Sequence, residues 1–143
     1  MAETAYLIDS SIWIQALAPR APGAMTVLLR ALLEANTAVV TDMVRLEVLA
    51  GAKSSKEFDQ FRQDFDALRC LSTTTQAWRQ AEDLGCALGR RGLPVPSPDL
   101  LIAAVAVSYD VPLWHADKDF ERIKQVTSEL RTLWYPHHSP VIQ

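Results

Sequence analysis

"AYLIDSSIWI", Ala5 to Ile14, decides the fold class. Its first four residues form a short apolar run of strand length, and Asp9 stands directly after it. Ser10 or Ser11 then opens a helix through Ile12, Trp13 and Leu17. A strand followed at once by a helix, with a carboxylate at the junction, is the unit of an α/β sheet. The rest of the chain repeats the pattern.

"APRAPG" (18–23) breaks the first helix, and Met25 to Leu33 carry apolar residues at helical spacing. "TAVV" (37–40) is a second strand, followed by a helix capped by Thr41 or Asp42 and ended near Gly51. Phe58, Phe61, Phe65 and Leu68 form the core-facing stripe of a helix from about Ser55 to Leu68. "RCLS" (69–72) reads as a short strand and Thr75 to Gly89 as a helix. "GRRGLPVPSP" (89–98) is the clearest loop. Ser97 as N-cap and Pro98 at the first helical position start the apolar helix "SPDLLIAAVA" (97–106).

"VPLWHA" (111–116) is a fourth strand and "DKDFERIKQV" (117–126) a short helix. "RTLWY" (131–135) is a candidate fifth strand, and "PHHSPVIQ" (136–143) a tail in which His137 and His138 read as solvated. Strands alternating with helices imply a parallel sheet of four to five strands with helices on both faces, a three-layer sandwich. No repeat or composition break divides the chain, so residues 1–135 form one domain and 136–143 its tail.

The chain has 143 residues, 49% apolar and 22% charged, which suits a soluble globular domain with a full core. A net charge of −3 excludes a broad basic surface, so a nucleic-acid partner would need a local patch or metal ions. The N-terminus lacks the layout of a signal peptide, and the apolar runs are shorter than the roughly 20 residues that cross a bilayer. Cys70 and Cys86 have no metal-ligand spacing and read as buried free thiols of a cytoplasmic protein, with a disulfide between them as the alternative.

Four carboxylates sit where apolar neighbours make them conspicuous. Asp9 and Asp117 each follow a strand directly, at the carboxyl edge where such sheets place their functional crevice. Asp99 lies at the doorway of an almost wholly apolar helix. Glu47 stands among Met43, Val44, Leu46, Val48 and Leu49. Each has a plain alternative: Asp9 or Asp117 as an N-cap, Asp99 as a partner of the helix dipole. Glu47, on a partly buried face, has the weakest excuse. Converging at one sheet edge, such groups repel one another and raise their own pKa values until a divalent cation intervenes. An all-oxygen set suits Mg2+ or Mn2+ rather than zinc, and that chemistry serves phosphodiester cleavage.

"LIDSS", "RLEVLAG", "SPDLLIAAVA" and "LWHADKDF", in that order, resemble the successive motifs of the PIN domain nucleases, specifically their VapC toxin branch. The resemblance runs from Tyr6 to about Leu133. It implies a PIN-like fold and a catalytic set of Asp9, Glu47, Asp99 and Asp117. It further implies that Asp9, Asp99, Asp117 and Asp119 hold Mg2+ or Mn2+, with Ser10 as an orienting hydroxyl. His115 departs from the pattern, standing where the family often has threonine. The implied function is a toxin endoribonuclease that cuts structured RNA, transfer or ribosomal, to 5′-phosphate and 3′-hydroxyl ends. A VapB-like antitoxin and a homodimer are implied with it. An antitoxin arginine would enter the acid pocket, and apolar antitoxin side chains would pack near Trp13 unless Trp13 belongs to the core. Arg90 and Arg91, in the loop before the Asp99 helix, are the expected RNA contacts, with a solvated helix end as the alternative.

Other chemistries fit less well. Ser10 and Ser11 lack a recognisable base, neither cysteine sits in a reactive motif, and "GRRG" has no Walker spacing. Histidine-driven ribonuclease chemistry would have only His115 in the folded body. A phosphoaspartate receiver leaves "HADKDF" unexplained. The competing class is a catalytically silent module whose acids hold a structural ion or a basic peptide.

Overall fold

A computed structural model describes residues 4–141 of the chain; the last two residues of the expected tail lie outside the described residues. Strand β1 (Tyr6–Ile8) leads through α1 (Ser10–Ala16) and α2 (Gly23–Glu34) to β2 (Ala38–Thr41). Helices α3 (Asp42–Ala50) and α4 (Ser55–Asp66) lead on to β3 (Arg69–Leu71). The long α5 (Thr75–Arg90) and α6 (Ser97–Ser108) return the chain to β4 (Leu113–His115), and α7 (Lys118–Ile123) precedes β5 (Thr132–Trp134).

All strand pairs are parallel, in the order β3-β2-β1-β4-β5. The chain therefore moves outward from β1 to β3, then crosses back to β4 on the other side of β1. Right-handed crossovers place α1–α4 on one face and α5–α7 on the other. The helix contacts follow suit: α1 meets α2 and α3, and α3 meets α4, while α5, α6 and α7 pack together. Helices thus cover both faces, as expected, and the direction in which the chain adds strands reverses between β1 and β4, although the strands stay parallel. That reversal opens the crevice at the strand carboxyl ends.

Burial explains the strands. Leu7, Ile8, Val40, Leu113 and Trp114 are fully buried, because both sheet faces are covered. Helix α6 is buried on nearly every side, from Leu101 to Ala106. Its alanines let it sit close to the sheet, and a Cβ on Gly85 of α5 would come within 3.0 Å of Leu100. As a helix that precedes a parallel strand, α6 runs antiparallel to it. Its N-terminus, with Asp99, therefore lies at the carboxyl edge of the sheet.

Several expectations need correction. The helix expected from Thr75 to Gly89 is present and runs one residue further, so Arg90 belongs to α5 and not to the loop. Arg91 caps the helix and the chain leaves it at Gly92, whose φ of +68° allows the Leu93 N–H to reach the Leu88 carbonyl at 3.0 Å and the Gly92 N–H to reach that of Gly89 at 3.1 Å. Helix α6 starts one residue earlier than expected, with Pro96 in the capping position and Ser97 as its first residue. The Pro96 carbonyl already accepts the Asp99 N–H at 3.1 Å, so proline's fixed φ begins the turn. Both cysteines are free thiols, but Cys70 is half-buried and Cys86 exposed. His137 and His138 are exposed, yet the His138 N–H donates to the Trp134 carbonyl at 2.8 Å, so a turn holds them. Trp13 belongs to the core: it packs edge-on to Phe65, and its indole N–H donates to the Ile8 carbonyl at 3.2 Å. No described helix is long and apolar enough to cross a membrane.

Candidate active site

Asp9 ends β1 and caps α1. Its Oδ2 accepts the Ser11 N–H at 3.0 Å and the Ser11 hydroxyl at 2.6 Å. The same Ser11 Oγ accepts the Ala116 N–H at 2.9 Å, which ties the loop after β1 to the loop after β4. These bonds fix the rotamer and consume Oδ2. The other oxygen, Oδ1, is buried without a hydrogen-bond partner. A buried carboxylate oxygen left bare is costly unless a cation faces it.

Asp117 caps α7: its Oδ1 accepts the Asp119 N–H at 3.0 Å, and its own N–H donates to His115 Nδ1 at 3.1 Å. Asp99, the third residue of α6, is buried beside it. One carboxylate oxygen each from Asp99, Asp117 and Asp119 lies within 4.8 Å of the others. Glu47 reaches in from α3, and the Ser10 hydroxyl donates to its Oε1 at 3.0 Å. The capping alternatives for Asp9 and Asp117 therefore hold as well: the caps are what aim these carboxylates.

The electrostatics centre on Asp99. Burial, followed by the charges of Asp9, Asp117, Glu47 and Asp119, pushes its pKa up to about 8. Asp9 is pushed up to about 6, chiefly by burial and partly by Glu47, against the lowering effect of its Ser11 bonds. The other four acids singled out in the sequence thus all act on Asp99. Asp99, Asp117 and Asp119 form the tight group, and Asp9 and Glu47 flank it.

The donor set fits a hard divalent cation. Every group offered is a carboxylate oxygen, one of them buried and bare, and the mutual repulsion that raises Asp99 is what such an ion would relieve.

His115 replaces a hydroxyl with a longer connection. Its ring is fully buried, Nδ1 accepts from Asp117, and Nε2 lies 2.7 Å from Glu121 Oε2. Glu121 Oε2 also accepts the Thr132 hydroxyl at 2.8 Å. Burial lowers the His115 pKa, so the ring is neutral with its proton on Nε2. Arg90 and Arg91 are exposed at the end of α5, and Arg91 Nη1 donates to the Gln125 carbonyl at 3.0 Å. Sequence reasoning gave no site role to Ser11, Glu121 or Thr132. The doubled serine of "DSS" was the one available signal, and it pointed to Ser10; the others are recognisable only once β4, α7 and β5 are side by side.

The PIN domain model matches residues 6–126. Ribonuclease VapC21 of Mycobacterium tuberculosis is 33% identical over 131 residues, covering 88% of this chain and 91% of that protein. Ribonuclease VapC18 of the same organism is 28% identical over 128 residues, covering 87% and 90%. Among solved structures, VapBC2 from Rickettsia felis bound to a promoter DNA fragment superposes with a TM-score of 0.73 at 23% identity, covering 92% of this chain and 99% of that one. The fold, the order of the acidic motifs and these likenesses agree: the chain belongs to the PIN domain family, in its VapC ribonuclease branch.

Proposed function

We propose that the protein is a metal-dependent endoribonuclease, the toxin of a toxin–antitoxin pair, that hydrolyses phosphodiester bonds in structured RNA such as transfer or ribosomal RNA. The observation that carries this reading is the position of Asp99, buried among four other carboxylates at the reversal point of the sheet. The VapC names of the relatives support the substrate class.

Asp9 through its bare Oδ1, together with Asp99, Asp117 and Asp119, would hold Mg2+ or Mn2+. Such an ion, when bound, lowers the pKa of water and withdraws charge from phosphate oxygens. Ser11 holds Asp9 in place, and His115 holds the Asp117 backbone. Ser10 occupies Oε1 of Glu47 and leaves Oε2 to take a proton from the attacking water. The water oxygen bonds to phosphorus as the bond to the 3′ oxygen breaks, and that oxygen takes up a proton from solvent. The products carry 5′-phosphate and 3′-hydroxyl ends, and the RNA 2′-hydroxyl plays no part.

A VapB-like antitoxin, a homodimer and a cytoplasmic location complete the reading; they rest on the family. Light scattering at micromolar concentration tests the dimer. For the activity, metal-stripped protein is given RNA with Mg2+, Mn2+ or neither, and the new ends are mapped. Cleavage that needs the ion and vanishes in Asp99→Asn supports the reading. RNA left intact under every condition, or cut equally by the variant, overturns it.

A further inference from the structure

We propose that Arg122 grips an RNA phosphate beside the acid cluster, an inference that rests on the ribonuclease reading. Arg122 lies three residues after Asp119 on α7, on the same face of the helix. Its Nη1 donates to Asp119 Oδ1 at 3.1 Å. The Arg122 side chain is 38% exposed and that of Asp119 18%, so the guanidinium is tethered through Nη1 and still partly open to solvent.

Among the described residues, no other lysine or arginine is ion-paired to Asp9, Glu47, Asp99, Asp117 or Asp119. The nearby cations have other partners: Arg91 holds the Gln125 carbonyl and Lys124 pairs with Glu121. Lys118 is exposed and unpaired.

The charge of the substrate favours a further cation beside the metal ligands. Five carboxylates face a polyanion on a chain of net charge −3, and the substrate phosphate must approach them closely. A guanidinium has five N–H donors in a planar fork, and the bond to Asp119 uses one. The remaining donors match the paired oxygens of a phosphodiester. The tether also reduces the rotamer freedom lost on binding. As a contribution to stability, a partly exposed pair three residues apart is minor, so packing alone gives little reason for it.

The test uses the whole protein and a labelled RNA hairpin, with Ca2+ replacing Mg2+ to permit binding without turnover. Affinity is followed against salt for wild type, Arg122→Ala, Arg122→Lys and Lys118→Ala, and Mn2+ affinity is measured without RNA. Arg122→Ala should lower the slope of log affinity against log salt by about 1. Arg122→Lys should keep the slope with weaker binding, and Mn2+ affinity should stay at or above the wild-type value. An unchanged slope in Arg122→Ala overturns the proposal, as does an equal loss in Lys118→Ala. A fall in Mn2+ affinity that matches the RNA loss overturns it too, because the arginine would then act through the metal site. A wild-type protein that binds no RNA hairpin refutes the ribonuclease reading itself, and this inference with it.

Discussion

His115 Nε2 meets Glu121 Oε2 at 2.7 Å inside the protein, and this bond is one end of a chain that reaches Asp117. Burial alone would push Glu121 up, but the hydrogen bonds from Thr132 and His115 outweigh it and hold its carboxyl below the usual range. Glu121→Leu leaves the buried His115 N–H unpaired and should cost about 1–3 kcal/mol in urea unfolding. Glu121→Gln can still accept from His115 and should cost much less. Equal losses in the two variants would mean that the bond does not stabilise the fold.

The pH dependence of stability should have two flanks of opposite sign. The folded state keeps His115 neutral, whereas the unfolded chain gives it the ordinary pKa of 6.5. As pH falls below that value the unfolded ensemble takes up a proton that the fold refuses, so stability is lost toward acid. Asp9 and Asp99 are raised from 3.8, so the stability they contribute is present in acid and is lost as pH rises through about 6 and about 8. Metal-free protein should therefore weaken toward alkaline pH, and Mg2+ should raise Tm more above pH 8 than near pH 6. A Tm gain independent of pH would show that the ion binds elsewhere.

Replacing one acid separates function from folding. Asp99→Asn keeps the size of the side chain and removes its charge from among four others, so RNA cleavage should fall about 100-fold or more. Metal-free stability at neutral pH should meanwhile rise by about 1 kcal/mol, because the fold no longer has to hold a proton that the unfolded chain would release. Cleavage that survives the substitution refutes the assigned role of Asp99. A loss of stability would show that Asp99 is paired in the fold rather than repelled.

Much of this site was legible because strand-end acids announce themselves: Asp9 and Asp117 follow apolar runs that only a covered sheet requires. Glu47 and Asp99 stood out against apolar helix faces. Strand order was not legible, since β1 pairs with both β2 and β4 across 30 residues and more. With it went every contact that depends on adjacency: Ser11 to Ala116, Thr132 to Glu121, His115 to Glu121. The end of α5 was legible to within one residue; the helix passes Gly89 because the backbone turns left-handed only at Gly92.

Arg90 and Arg91 should differ in their effect on RNA binding. Arg91 already donates to the Gln125 carbonyl just beyond α7, while Arg90 has no such bond. Arg90→Ala should lower the salt slope by about 1 and Arg91→Ala by less. Two slopes equal to wild type would leave both arginines as a solvated helix end.

Under the proposed function, a VapB-like antitoxin should silence cleavage with a cation of its own. Arg122 already pairs with Asp119, so the cluster accepts a guanidinium. An antitoxin arginine entering among Asp9, Glu47, Asp99 and Asp117 would oppose Mg2+ there. With Trp13 in the core, the apolar contacts fall instead to its exposed neighbours on and after α1, Ile14 and Leu17, which line a groove with Val48 and Phe61. Mg2+ titrated against the complex should restore RNA cleavage. Substituting the antitoxin arginine should weaken inhibition and make the remainder less sensitive to Mg2+, while Leu17→Asp should weaken the complex without altering that sensitivity. If the arginine substitution changes neither, inhibition is steric cover alone.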